Sequence, residues 1–496
     1  MAAGLANLLF VEAPRPRRIR EYRYASWLAV GTVCFGAFLG QLDASIVTLI
    51  FPALRTEFHA PLASVEWVSL SYLLVLVALL APVGRLSDAV GRKQYYLYGF
   101  ALFTVASAAC GAAPNLITLI CLRIVQAGGA ALLQANSVAL VTTSVPTRLM
   151  RSALGVQAAA QALGLALGPT IGGLLVDSTG WRWVFWVNVP VGVAGLILGR
   201  YLLPRTRART PVPSFDWPGV ALLAGCTTAL LLVISSASGL SLPFGAAVAL
   251  AVVSVLAGVA FVWRQRRARS PLVDLRLLRT RAVAGGLAAA LGGYLILFGP
   301  LVLVPVVFGA GDAGGVMRAG LVVTALPAGF GLAAVFGARL LPRHWSHRAR
   351  CLVGAVLCVV ALAGQTVALA LLPRSLAISP ESLVPGLAVL GIGLGLFTPA
   401  NNAMVMGAIP PGSSGMGGGL VNMGRGLGTS LGVAVVTLTL HVTGGGLGGA
   451  QWVLGLLGVV AVLVAATAWH SGGGQPASTA ATWSGDSGSP SADPQA

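Results

Sequence analysis

The stretch Gly40-Gln41-Leu42-Asp43-Ala44-Ser45-Ile46-Val47 sets one carboxylate inside an apolar run that extends from Trp27 to Pro52. A helix needs about 20 apolar residues to cross a bilayer, and this run is long enough. A charged side chain near the centre of such a helix costs roughly 2.5–3.5 kcal/mol on insertion scales. Acids that persist there face a polar interior, where they titrate, pair or bind. Asp43 therefore raises two expectations, a membrane-spanning fold and a polar site within it.

Composition extends this reading to the whole chain. Of 496 residues, 56% are hydrophobic and only 9% are charged, whereas soluble proteins carry about 25% charged residues. An all-α integral membrane protein is expected. The net charge of +18 does not point to nucleic acid, because the Lys and Arg residues cluster in short segments between apolar runs. That is the pattern of positive-inside topology. Leu5 to Val11 precede Arg15, Arg17, Arg18, Arg20 and Arg23, the reverse of a cleavable signal peptide, so the first span is expected to be an uncleaved anchor. Cys34, Cys110, Cys121, Cys226, Cys351 and Cys358 fall in apolar runs and read as buried thiols. The sequence offers no metal-ligand spacing and no nucleophile constellation, so neither an enzyme nor a metal centre is expected.

Fourteen apolar segments can be counted, at 27–52, 64–84, 95–112, 115–141, 153–176, 182–201, 217–236, 242–263, 282–308, 318–340, 351–372, 383–408, 415–440 and 450–469. With the N-terminus placed in the cytoplasm, only Arg55, Arg182, Arg318 and Arg374 fall outside, and Arg123 and Arg425 lie within spans. The remaining basic residues fall inside, so both termini are expected to be cytoplasmic. The chain divides into a basic segment (1–24), six spans (25–201), a linker with two further spans and a basic loop (202–281), six more spans (282–470), and a Gly/Ser/Pro-rich tail (471–496) that reads as disordered.

Several strings carry polar chemistry. Gly84-Arg85-Leu86-Ser87-Asp88-Ala89-Val90-Gly91-Arg92-Lys93 is a charged turn between spans two and three, in which Asp88 can accept from a helix N-terminus or pair with Arg92. In span four, Arg123, Gln126, Ala130, Gln134 and Ser137 fall on one stripe at 100° per residue. Arg123 and Asp43 lie about eight and nine residues from the outer ends of their spans, roughly 12–14 Å deep. An ion pair between them is expected. A static helix-tying pair and a proton-controlled pair both fit. Span five carries Gln157 and Gln161 ahead of Gly164-Leu165-Ala166-Leu167-Gly168-Pro169-Thr170-Ile171-Gly172-Gly173, where small residues allow close helix contact and Pro169 breaks the ladder. Asn401 and Asn402 in span twelve, and Asn422 and Arg425 in span thirteen, add polar groups that either line a cavity or join helices. Outside Asp43 the only acid noted in the spans is Glu66, near the outer end of span two.

These strings resemble those of the major facilitator superfamily. The 84–93 turn is similar to that family's inner-loop motif, Gly-x-Leu-Ser/Ala-Asp-x-x-Gly-Arg-Lys/Arg, between spans two and three. Arg123 to Gly129 resembles the fourth-span motif, with Ala127 in place of a Gly. Gly164 to Gly173 resembles the fifth-span motif of its antiporters. Leu42 to Val47, Trp181-Arg182-Trp183-Val184-Phe185-Trp186-Val187-Asn188-Val189-Pro190, and Asn422 with Arg425 and Gly428 resemble its fourteen-span drug–proton antiporter branch.

The resemblance implies two pseudo-symmetric six-helix bundles with two extra central helices, working by alternating access. It implies an inner-loop gate at Gly84, Asp88, Gly91, Arg92 and Lys93, a hinge at Gly164, Gly168, Pro169, Gly172 and Gly173, and proton coupling by Asp43 and Arg123. The expected cavity residues are Gln126, Gln134, Gln157, Gln161, Asn401, Asn402, Asn422 and Arg425. The expected partners are a small amphipathic solute, protons and the lipid bilayer of a bacterial-type cytoplasmic membrane, with no nucleic acid. A monomer is expected, with the proton gradient as energy source and no cofactor. A dedicated exporter of one metabolite, lipid or siderophore, and an uncoupled facilitator, remain alternatives. With Arg123 and Arg425 set against Asp43 and Glu66, neutral, zwitterionic and anionic solutes are all allowed.

Overall fold

The computed structural model describes residues 12, 15–206, 216–268, 271–309, 315–340, 342, 345–371, 379–409 and 414–470. The tail at 471–496 lies outside them. Fourteen long helices cross the described residues: α1 (Ala25–Ile46), α2 (Trp67–Val90), α3 (Arg92–Gly111), α4 (Leu116–Ser144), α5 (Met150–Thr179), α6 (Asn188–Leu202), α7 (Trp217–Ala237), α8 (Phe244–Arg267), α9 (Arg281–Phe308), α10 (Gly315–Leu340), α11 (His347–Leu371), α12 (Val384–Gly407), α13 (Ser414–Val442) and α14 (Gly446–His470). Thirteen helical spans among the described residues are long and apolar enough to cross a membrane. The other long helix, α3, opens on Arg92-Lys93-Gln94 and carries Tyr95, Tyr96 and Tyr98, which lower its hydropathy.

Local chemistry sets the helix ends. The Asn115 side chain accepts from the Thr118 N–H at 2.8 Å and starts α4. Asp216 starts α7 by accepting from the Gly219 N–H at 3.2 Å. The first span runs beyond its apolar core, through a 3-10 turn at Val47–Ile50 into a helix at Phe51–Glu57. Pro52 has no N–H to give the Thr48 carbonyl, so the regular ladder is interrupted there.

The packing repeats. In the first half α1 lies against α5 and α6, α2 against α4, and α3 against α4 and α6. In the second half α9 lies against α13 and α14, α10 against α12, and α11 against α12 and α14, the same pattern shifted by eight helices. The halves meet along two seams, α5 with α10 and α2 with α13. The inserted pair α7–α8 packs on itself, and α7 reaches α2 and α13. Helix α8 turns Val252, Val255, Leu256 and Val259 outward.

The two ends of the bundle differ. At the end remote from the 84–93 turn, one continuous core joins both halves, from Ile46–Leu54 and Val65–Leu74 to Leu295–Val304 and Ala319–Leu326. At the turn end the halves keep separate cores, one built on Tyr96, Phe100 and Leu133, the other on Val283, Val405 and Ile409. The molecule is closed at the remote end and parted at the turn end.

Candidate functional site

Asp43 and Arg123 meet directly, with Arg123 Nη1 donating to Asp43 Oδ2 at 2.7 Å. Both side chains are buried, at 0% and 1% exposure. The other carboxylate oxygen, Oδ1, accepts from Gln126 Nε2 and from Asn188 Nδ2, each at 3.1 Å. Arg123 also donates from Nη1 to Gln126 Oε1 at 2.6 Å and from Nε to the Val68 carbonyl at 3.0 Å. Its guanidinium carbon lies 4.1 Å from the centre of the Tyr72 ring. Gln126 Nε2 donates further to Ser107 Oγ at 2.7 Å. One ion pair thus draws in α1, α2, α3, α4 and α6. Burial makes such a pair consequential, because removing one partner strands the other charge at a cost of about 3–5 kcal/mol.

Gln126 corrects the sequence reading. It was expected on a cavity wall, and it is instead fully buried and closes the ion pair. Arg123 and Gln126 are three residues apart and share a face, whereas Gln134 lies further along the same stripe, where the halves part. A stripe therefore gives the face of a helix but not the neighbour at each depth. Asn188 was visible only as part of a string at the start of span six, and its role on Asp43 appears when α6 packs against α1.

Beside this cluster lies a cavity of about 260 Å³ between the halves. Its first-half wall carries Gln41, Gln134, Ser137, Gln157 and Gln161, and its second-half wall carries Tyr294, Phe298, Asn422, Arg425 and Thr429. Gln157 Nε2 donates to Ser137 Oγ at 2.5 Å. Arg425 Nη1 donates to Asn422 Oδ1 at 3.4 Å, and its guanidinium carbon lies 4.5 Å from the Tyr294 ring centre. Of the expected cavity residues, Gln134, Gln157, Gln161, Asn422 and Arg425 therefore converge. Asn401 and Asn402 do not line this cavity. Helix α12 packs behind against α10 and α11, and Asn401 Nδ2 donates to the Gly286 carbonyl at 2.9 Å, tying α12 to α9. Gln41 and Tyr294 also line the cavity, and Gln41 stands two residues before Asp43, on the face of α1 turned away from it.

The inner turn is tied into the first half. Gly91 has φ 144°, a conformation that favours glycine, and a side chain there would strike the Glu12 carboxylate. Lys93 is fully buried, and its Nζ donates to the carbonyls of Arg200 at 2.9 Å and Leu203 at 2.8 Å, capping the end of α6. Glu12 accepts from the Thr206 N–H at 2.8 Å and from Thr206 Oγ1 at 2.9 Å in the same region. Gly84 and Arg92 are half-buried nearby, and the Asp88 side chain lies outside the described residues.

The fifth-span string serves two contacts at once. Gly164, Gly168 and Gly172 face α1, and an added methyl would meet the Phe38 carbonyl, Ser45 Oγ and the Ile46 side chain in turn. Gly173 and Pro169 face α10: a methyl at Gly173 would lie 2.8 Å from Met317 Cα, and one at Gly320 would strike the Pro169 carbonyl. Thr170 Oγ1 and Thr324 Oγ1 share a hydrogen bond of 2.7 Å, and Asp177 Oδ2 accepts from the Met317 N–H at 2.7 Å, both across the seam. At the start of α2, where that helix meets α7, Glu66 is buried rather than set in the cavity. It accepts from Ser235 Oγ at 2.5 Å, and Trp67 Nε1 donates to the same hydroxyl at 3.2 Å.

Comparison with known proteins fits this architecture. The Major Facilitator Superfamily matches residues 33–433. The riboflavin transporter RibZ of Clostridioides difficile is 30% identical over 409 residues, 82% of this chain and 87% of that protein. The probable actinorhodin transporter of Streptomyces coelicolor is 32% identical over 418 residues, 83% of this chain and 72% of that protein. The methylenomycin A resistance protein of the same species is 27% identical over 449 residues, 90% and 92% of the two chains. A solved POT family transporter, in complex with a thioalcohol conjugated peptide, superposes with a TM-score of 0.65 over 88% of this chain and 94% of its own. At 13% identity that likeness is one of fold. Matched across most of its length by the family and by transporters of similar size, this multi-pass membrane chain belongs to the Major Facilitator Superfamily and is a transporter rather than an enzyme.

Proposed function

We propose that the protein exports small amphipathic solutes from the cytoplasm in exchange for protons, by alternating access across the cytoplasmic membrane, with both termini inside. The observation that carries this reading is a buried carboxylate–guanidinium pair beside a cavity that is sealed at one end. The basic 84–93 turn at the parted end supports reading that end as cytoplasmic, by the positive-inside rule. Relatives named for transport of, or resistance to, small organic compounds point the same way.

The geometry suggests how coupling would work. Gln41 and Ala44 line the cavity, while Asp43 points to α4 and is absent from its wall. Proton and solute would therefore act on different faces of α1. Opened to the outside, Asp43 takes a proton and its attraction to Arg123 falls. The looser α1–α4 contact favours closing the outer end. Facing the cytoplasm, Asp43 releases its proton and regains Arg123 while solute enters. Coupling of this kind requires proton and solute to favour different states.

Transport in proteoliposomes with an imposed pH gradient tests the proposal. Gradient-stimulated uptake by inside-out protein, lost in Asp43→Asn, is the expected result. Transport that ignores the gradient, or an Asp43→Asn variant that still responds to it, overturns it. A dedicated exporter of one metabolite is the second reading, favoured by relatives named for single compounds. Protection of an overexpressing strain against one compound among several unrelated ones would select it.

A further inference from the structure

We infer that Arg425, Asn422 and Tyr294 form a receptor for an acidic group, so that the preferred solutes are aromatic or lipophilic acids rather than cations. This rests on the cavity being the solute site proposed above. The first support is charge balance. The described residues lining the cavity include no Asp or Glu, and Arg425 is their only formal charge. Asp43, on the cavity helix α1, is committed to Arg123 at 2.7 Å. Arg425 takes part in none of the ion pairs Arg17–Glu21, Arg182–Glu57, Arg264–Asp216 and Arg318–Glu381. A guanidinium in a partly desolvated cavity without a counter-charge attracts a ligand that brings one and repels a cation.

The second support is the arrangement of donors. Arg425 is held by one long hydrogen bond to Asn422 Oδ1 and by the face of Tyr294. That bond uses the carbonyl side of the Asn422 amide and leaves its NH₂ to donate elsewhere. A carboxylate, phenolate or sulfonate beside Arg425 would then receive guanidinium donors from one residue and an amide donor from the next turn, the planar pairing to which Arg is suited. Tyr294 and Phe298 offer ring surface beside that point, and Gln134 and Gln161 face it from the first half. The assembly matches a flat apolar body with one acidic edge.

The same oxyanion chemistry could come from a solute or from the phosphate of an anionic lipid. Binding of three matched probes to purified protein in neutral detergent decides this. The probes are naphthalene-2-carboxylic acid, its methyl ester and naphthalen-2-ylmethylammonium. The acid is expected to bind at least tenfold more tightly than the ester, with the cation weakest. Arg425→Gln is expected to remove the acid-over-ester preference, and Arg425→Lys to retain part of it. Equal binding of acid and ester to the unaltered protein overturns the inference without reliance on any variant. So does a preference that survives Arg425→Gln. A site filled by phosphatidylglycerol in nanodiscs, with no acid preference in phosphatidylcholine, assigns it to lipid and also overturns the solute reading. Gradient-driven transport is measured in parallel with each probe that binds. Gradient-driven transport without an acid preference would sink only this inference, and a pH gradient that moves none of the bound probes would sink proton-coupled export.

Discussion

Arg123 and Arg425 both lie deep in spans, each over a tyrosine ring and each donating to an amide oxygen three residues away, yet they differ in burial and in counter-charge. Arg123, in the first half, is buried to 1% exposure and bonded to Asp43, Gln126 and the Val68 carbonyl. Arg425, in the second half, is half-buried in a cavity, against one amide and one ring. The halves share a packing pattern, so the difference is one of charge placed on a common frame. In the first half the charge is balanced and dry, which suits a group whose pairing is to be switched by a proton. In the second it is unbalanced and accessible, which suits a group that waits for a ligand.

The most severe test of this contrast is truncation. Arg123→Ala leaves Asp43 buried without its cation, and a stability loss of about 3–5 kcal/mol is expected. Arg425→Ala removes no acid's partner and is expected to cost less than about 1 kcal/mol, as for substitutions away from buried networks. Thermal unfolding in detergent measures both. Equal losses would break the comparison.

Crowding the α1–α5 contact comes next. Gly168→Val would drive a side chain into Ser45, two residues from Asp43, and overpacking of this kind costs about 1–3 kcal/mol. Gly155, on the same helix, has nothing within 4 Å of an added methyl, so Gly155→Ala is expected to transport normally. Solute flux for the two variants at matched expression checks this. A smaller effect is expected from Asn188→Ala, which removes one donor from Asp43 Oδ1 at a cost of about 1–2 kcal/mol. Proton-driven flux is expected to fall while solute binding is unchanged, which would sharpen the division between the two sites.

The mildest expected effect concerns the inserted pair. Burial alone would raise the Asp216 carboxyl, but hydrogen bonds from Arg264, Gln265 and the Gly219 N–H, with the Arg264 charge, outweigh it and hold it below its ordinary value. A depressed carboxyl stabilises the fold above its unfolded value of about 3.9, and this stability is lost as pH falls through the folded value. Acidification is therefore expected to loosen the α7–α8 end, seen as faster amide exchange there, and Asp216→Asn is expected to abolish that pH response.

Much of this was legible in the sequence because membrane spans are simple rulers. Matching depths along two spans was enough to pair Asp43 with Arg123. A proline set among glycines marked the close contacts of α5, though not that one face of the string serves α1 and the other α10. What escaped the sequence depends on which helix stands behind which. Asn401 looked like a cavity residue until α12 was seen to pack behind α9 and α10. Gln126 and Gln134 share a stripe, and only the packing shows one buried on Asp43 and the other in the cavity. The resemblance puts Lys93 in the inner-loop gate, but its tie to α6 appears only when the end of that helix brings two carbonyls to its ammonium group.

The central claim is that Asp43 carries the exchanged proton while the solute binds elsewhere. The most direct measurement follows proton release when a solute is added to purified protein in weakly buffered detergent solution. Release from the unaltered protein is expected, with none from Asp43→Asn although that variant still binds the solute. Equal proton release from both proteins would contradict the account.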